Sequence, residues 1–125
     1  MSYVDGFLLS IPKRKLAVYR RIARLAGKVW LEHGALEYLE CAGDDLKVKG
    51  CPSMIKAART RSGELPFFSY IVYRSRRHRD AVNRKVMEDP RIRTMMAPGA
   101  MPFDLSRMYY GGFKAVVELR AKRRR

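Results

Sequence analysis

The order of elements written in this sequence is β, α, β, β, α, β, which predicts a single α+β domain. Two long helical patterns are each bracketed by runs of alternating or aromatic-rich residues, the two halves are of similar length, and no internal repeat interrupts them. At 125 residues the chain can bury one core and not two, and its 47% hydrophobic and 31% charged content is that of a globular protein.

Tyr3 to Ile11 reads as a strand, with Tyr3, Asp5, Phe7 and Leu9 on one face and Val4, Gly6 and Leu8 on the other. Pro12 suits the first turn of a helix in which Leu16, Tyr19, Ile22, Ala23, Ala26, Val29, Trp30 and His33 recur at helical spacing up to Gly34, a natural C-terminal cap. Leu36 to Cys41 is a second strand, Leu36, Tyr38 and Glu40 alternating with Glu37, Leu39 and Cys41. Gly50, Pro52 and Gly63 then break the pattern, leaving a long connection with one helical turn at Met54 to Arg59. Phe67 to Arg74 is the strongest strand signal, and Ser75 caps a helix whose stripe is His78, Ala81, Val82, Val86 and Met87. Asp89-Pro90 opens a short helix to Met96, which Pro98 and Gly99 end. The last strand, Met108 to Leu119, carries Gly111-Gly112, a pair expected at a bulge or a close backbone approach.

This order specifies a four-stranded antiparallel sheet with helices on one face, the ferredoxin-like arrangement. The other face keeps apolar residues of the first and third strands, and a second copy packed sheet to sheet covers them most economically, so a homodimer is expected. The domain is read as residues 1–119 and residues 120–125 as a basic, disordered tail.

The net charge of +15 is uneven: residues 1–60 hold 11 basic and 6 acidic residues, residues 61–125 hold 16 and 6. Such charge draws the chain toward polyanions, so non-specific nucleic-acid association is expected, with Arg76, Arg77, Arg79, Arg120, Lys122, Arg123, Arg124 and Arg125 as the candidate contacts. The aromatics Phe68 and Tyr70 imitate an RNA-recognition strand, but Pro66, Phe67 and Ser69 replace its glycines, which argues against sequence-specific reading. No apolar run reaches the roughly 20 residues of a membrane span and no signal-peptide pattern opens the chain, so a cytoplasmic protein without a membrane partner is expected. Cys41 and Cys51 are read as reduced thiols; with His33 and His78 they have no metal-ligand spacing, and neither metal nor cofactor is expected.

Four blocks of residues carry a resemblance. They are Tyr3-Val4-Asp5-Gly6-Phe7; Trp30 with Glu32-His33-Gly34-Ala35-Leu36; Ser75-Arg76 with His78-Arg79-Asp80; and Met101-Pro102-Phe103-Asp104 followed by Tyr110-Gly111-Gly112-Phe113. Over about residues 2 to 119 the chain resembles the YbaA-like bacterial family of unknown function, within the dimeric α+β-barrel superfamily. The resemblance implies the same fold and a dimer, and through the superfamily, which includes cofactor-free oxygenases and isomerases, an unidentified small organic molecule bound or transformed near the sheet. The family brings no activity of its own, so a purely structural or regulatory dimer is equally compatible with the resemblance.

No catalytic motif is recognisable. The acid–base candidates are Asp5 and Glu40, two carboxylates that share an aromatic-lined space if Tyr3 and Asp5 face the same way as Glu40 and Tyr70. His78 is a further candidate, set against a satisfied core histidine, and His33 before Gly34 suits a helix C-terminal cap. Ligand contacts are expected from Tyr3, Tyr38 and Tyr70, with Arg74 and Arg107 together capturing a carboxylate or phosphate.

Overall fold

The computed structural model describes residues 1–122, so the expectations placed on Arg123, Arg124 and Arg125 lie outside the described residues. The elements are β1 (Tyr3–Pro12), α1 (Leu16–Glu32), β2 (Glu37–Ala42), α2 (Met54–Ala57), β3 (Glu64–Tyr73), α3 (Arg76–Glu88), α4 (Pro90–Met95) and β4 (Tyr109–Lys114). One antiparallel sheet runs β2-β3-β1-β4, the ferredoxin-like order, which puts the two strands that are apolar on both faces at its centre.

Register settles which side chains share a face. Tyr3, Asp5, Phe7 and Leu9 lie opposite Tyr73, Ile71, Ser69 and Phe67, while Tyr38 and Glu40 lie opposite Ile71 and Ser69. All of these therefore belong to the face that α1 and α3 cover. Two groups of buried side chains form under the helices, one around Val29, Ile71, Tyr73, Val82 and Val86, the other around Leu9, Ile11, Tyr19 and Phe67; Phe7 packs against both.

The local signals that hold are terminal ones. Ser75 accepts a bond from the His78 N–H and Asp89 from the Arg91 N–H, each at the start of its helix, and Gly34 takes φ +115° after α1. Pro12 is a correction: it ends β1 with ψ 128°, paired with Glu64, and α1 follows only after a 3₁₀ turn at Lys13–Lys15. Pro66 sits inside β3 because its carbonyl accepts from Gly43 N–H at 2.8 Å. Its missing N–H points to that same side, where the β2 ladder has already ended at Ala42.

β4 is shorter than expected, stopping at Lys114 rather than Leu119: its partner strand begins at Tyr3, and past that pair the Ala115 N–H donates to the Ser2 carbonyl oxygen at 3.0 Å. The Glu118 carboxylate instead accepts from the backbone N–H and hydroxyl of Ser2 at 2.7 and 2.6 Å. Gly111-Gly112 makes no bulge, since pairing continues unbroken through Gly6 and Asp5. Gly112 is needed because the Tyr3 ring lies on it; an added Cβ would stand 2.7 Å from Tyr3 Cε2.

Candidate functional site

Between the two buried groups lies a cavity of about 380 Å³, walled by the sheet, α1, the C-terminal part of α3, α4 and the 96–108 connection. Five of the chain's seven methionines, Met87, Met95, Met96, Met101 and Met108, line it, together with its only tryptophan, Trp30. Two hydrogen-bonded clusters, each centred on a carboxylate, interrupt this apolar lining.

Asp5, 1% exposed, is the centre of the first. Arg79 Nη1 donates to Asp5 Oδ1 at 2.8 Å and to the Tyr110 hydroxyl oxygen at 2.7 Å, and its guanidinium carbon stands 4.9 Å from the centre of the Tyr3 ring. Four residues on along α3, Asn83 Oδ1 accepts from Trp30 Nε1 and from the Tyr73 hydroxyl, both at 3.1 Å. Two donors on Oδ1 fix the amide orientation and turn Nδ2 toward Asp5 Oδ2, 3.5 Å away. Burial raises the Asp5 pKa above its ordinary value, and the Arg79 charge, followed by Tyr110, Asn83 and Tyr73, offsets part of that rise. Burial also raises Tyr73 and Tyr110, with the Asp5 charge adding to it.

Glu40, half-buried on β2, is the centre of the second. Its Oε2 accepts from the hydroxyls of Tyr19 at 2.8 Å and Ser69 at 2.6 Å, and its Oε1 from that of Tyr38 at 3.1 Å. Burial raises both tyrosines, and the adjacent Glu40 charge raises them further. Among the described residues no buried side-chain nitrogen or oxygen of either cluster lacks a partner.

Tyr3, Asp5, Tyr38 and Glu40 thus share the helix-covered face. Tyr70 borders the cavity, as Tyr38 does and Tyr3 does not, but its hydroxyl does not join them: it is an even-numbered residue of β3, opposite Gly6 and Leu39, and on the far face that hydroxyl donates to Glu37 Oε1 at 3.2 Å. Arg74 and Arg107 are not brought together either. Arg74 follows the end of β3 and is exposed, whereas Arg107 grips Glu64 at the start of β3 through two bonds of 2.7 and 3.0 Å. The ten residues of β3 separate them.

His78 lines no part of the cavity; its Nδ1 accepts from Arg74 N–H at 3.0 Å, and burial, with the Arg74 charge, lowers its pKa. His33 follows α1 and pairs through Nε2 with Asp89 at 2.9 Å. Among the arginines expected to face nucleic acid, Arg76 and Arg77 are exposed, Arg79 turns inward to Asp5, and Arg120 pairs with Glu118 at 2.6 Å; Lys122 is exposed. Cys41 and Cys51 are free thiols, and among the described residues no three His, Cys, Asp or Glu side chains converge as a metal site. Sequence reasoning missed Asn83, Tyr19, Ser69 and the methionines. The signal for Asn83 was its spacing from Arg79, one helical turn on the same side of α3.

Comparison with known proteins gives matches of three kinds. A family model described as "Protein of unknown function (DUF1428)" matches residues 2–105. The "Uncharacterized protein YbaA" of Escherichia coli K12 is 38% identical over 118 residues, covering 94% of this chain and 99% of that protein, and the protein of the same name in Shigella flexneri matches equally. Among solved structures, one from Nitrosomonas europaea, named provisionally as an antibiotic biosynthesis monooxygenase, superposes with a TM-score of 0.55 at 14% identity, covering 92% of this chain and 90% of that one, a likeness of fold alone.

Proposed function

The chain belongs to the DUF1428 family of proteins of unknown function, and for this member we propose binding of a small, largely apolar organic molecule between the helices and the sheet. The cavity carries the reading: about 380 Å³ falls in the range of small-molecule sites, and an apolar wall with few placed polar groups is their usual make-up. Its five methionines are unbranched and polarisable, a lining that repacks around an occupant. Asp5 also borders the cavity, but its carboxylate is engaged by Arg79 at 2.8 Å. Phe68 and Phe113, 51% and 63% exposed on the face without helices, support the further reading that the protein acts as a homodimer, the two sheets packed face to face.

Trp30 makes binding observable. Titration with phenylpropanol, an aromatic alcohol that does not absorb at the tryptophan excitation edge, should shift Trp30 emission saturably. Ala26→Phe, which fills the space from α1, should abolish the response. No saturable change in the unaltered protein, or an equal response after Ala26→Phe, would rule the reading out.

A further inference from the structure

We propose that the occupant is an organic cation, an ammonium group carried on an apolar body, and that Glu40 receives the ammonium; this rests on the cavity reading above. The observation behind it is a separation of charge. The chain has 27 lysines and arginines and a net charge of +15, yet the residues lining the cavity include no lysine, arginine or histidine and two acids, Asp5 and Glu40.

The two acids differ in one respect. Asp5 is neutralised by Arg79 at 2.8 Å, whereas among the described residues Glu40 has no lysine, arginine or histidine nitrogen within 4.0 Å. Its partners are three hydroxyls, and each of those spends its only proton on the carboxylate. What Tyr19, Tyr38 and Ser69 have left for an occupant is lone pairs, and three accepted bonds leave one acceptor position on Oε1. This pole of the cavity therefore accepts hydrogen bonds, donates none and carries a negative charge.

A primary ammonium is its complement, with three donors, no acceptor and a positive charge. The rings of Trp30, Tyr19, Tyr38 and Phe103 line the cavity, and an aromatic ring face attracts a cation and not a carboxylate. Arg20, Arg24 and Lys28 border a separate, more open groove that Tyr19, Tyr38 and Glu40 also line. Water there screens their charge, and the ammonium would lie against the carboxylate inside the wall.

The test compares three probes of one shape: phenylpropylamine, phenylpropanol and phenylpropanoate, each titrated against the full chain with Trp30 emission as the readout. In the unaltered protein the amine should bind about tenfold or more tighter than the alcohol, as expected of a charge-assisted hydrogen bond, and the acid weakest. Glu40→Gln should bring the amine to the level of the alcohol and leave the alcohol unchanged. Asp5→Asn, which keeps the Glu40 charge, should retain the preference.

Equal binding of amine and alcohol, or tighter binding of the acid, overturns the inference while leaving the cavity reading intact, and that comparison needs no variant. Amine preference that survives Glu40→Gln, or that is lost with Asp5→Asn, overturns the assignment to Glu40. Silence from all three probes removes the cavity reading, and this inference with it.

Discussion

The ion pair of Asp5 with Arg79 shows what a single residue contributes. A carboxylate that is 1% exposed is tolerable because a guanidinium and the Tyr110, Asn83 and Tyr73 side chains surround it. Arg79→Met removes the cation and strands the charge, and urea unfolding at neutral pH should show a loss of about 3 kcal/mol. The pH dependence has a definite sign. Because the folded state raises the Asp5 pKa above 3.8, it holds that proton more tightly than the unfolded chain, so this group's contribution to stability falls as pH rises from about 3.8 through the raised value. Arg79 is the largest influence opposing the rise, so in Arg79→Met the falling limb should extend toward neutrality, and Asp5→Asn in the same background should flatten it. Asp89 works in the opposite direction: bonds from Arg91 and His33 hold its pKa low, so its contribution is full above the ordinary carboxylate value and is lost as pH falls. Urea-midpoint profiles against pH that are identical in Arg79→Met and in the double variant with Asp5→Asn would contradict the account of Asp5.

At the scale of an element, the seating of α1 on β2 decides whether the Glu40 cluster can exist. Gly27 is buried in the middle of α1, and a Cβ there would stand 2.7 Å from Tyr38 Cδ1, so the helix rests on that ring. Helix propensity alone favours Gly27→Ala by about 1 kcal/mol, but overpacking against an aromatic ring costs about 1–3 kcal/mol. The net change should be destabilising in urea, and since Tyr38 is the ring displaced, the variant should also weaken the amine preference. A stabilised Gly27→Ala would show that Tyr38 yields freely. The same scale explains what was legible in the sequence. Helix starts at Ser75 and Asp89 and the stop at Gly34 are written locally, and strand alternation put Asp5 beside Tyr3. Whether Tyr70 joins Glu40 depends on how β3 aligns with its neighbours, and a slip of one residue reverses every side chain. The end of β4 is likewise set by where β1 begins, 111 residues earlier in pairing Lys114 with Tyr3. The inward roles of Arg79 and Asn83 escaped because a search for apolar stripes on α3 passes over polar residues that face inward.

For the whole molecule, the basic charge lies outside and the acidic cavity inside, which separates two kinds of binding by their response to salt. Association with single-stranded RNA through surface residues such as Arg76, Arg77 and Lys122 should weaken by about three to five decades from low to moderate salt if about six to ten phosphates are contacted. Amine binding in the cavity should change little, and RNA affinity that persists at moderate salt would point to a built nucleic-acid surface. The remaining question at this scale is what covers the sheet. Phe68 with Tyr70 on β3, and Tyr109 with Phe113 on β4, leave aromatic rings on the face opposite the helices, Phe113 63% exposed. A second copy related by a two-fold axis buries the same rings on both partners. Light scattering on the unaltered protein should therefore give twice 14.5 kDa, and Phe68→Glu with Phe113→Glu should give 14.5 kDa while keeping the Trp30 response to phenylpropanol, because the cavity lies on the other side of the sheet. A monomeric unaltered protein at tens of micromolar, or a double variant that stays paired, would mean that the sheet face is covered by something other than its own copy.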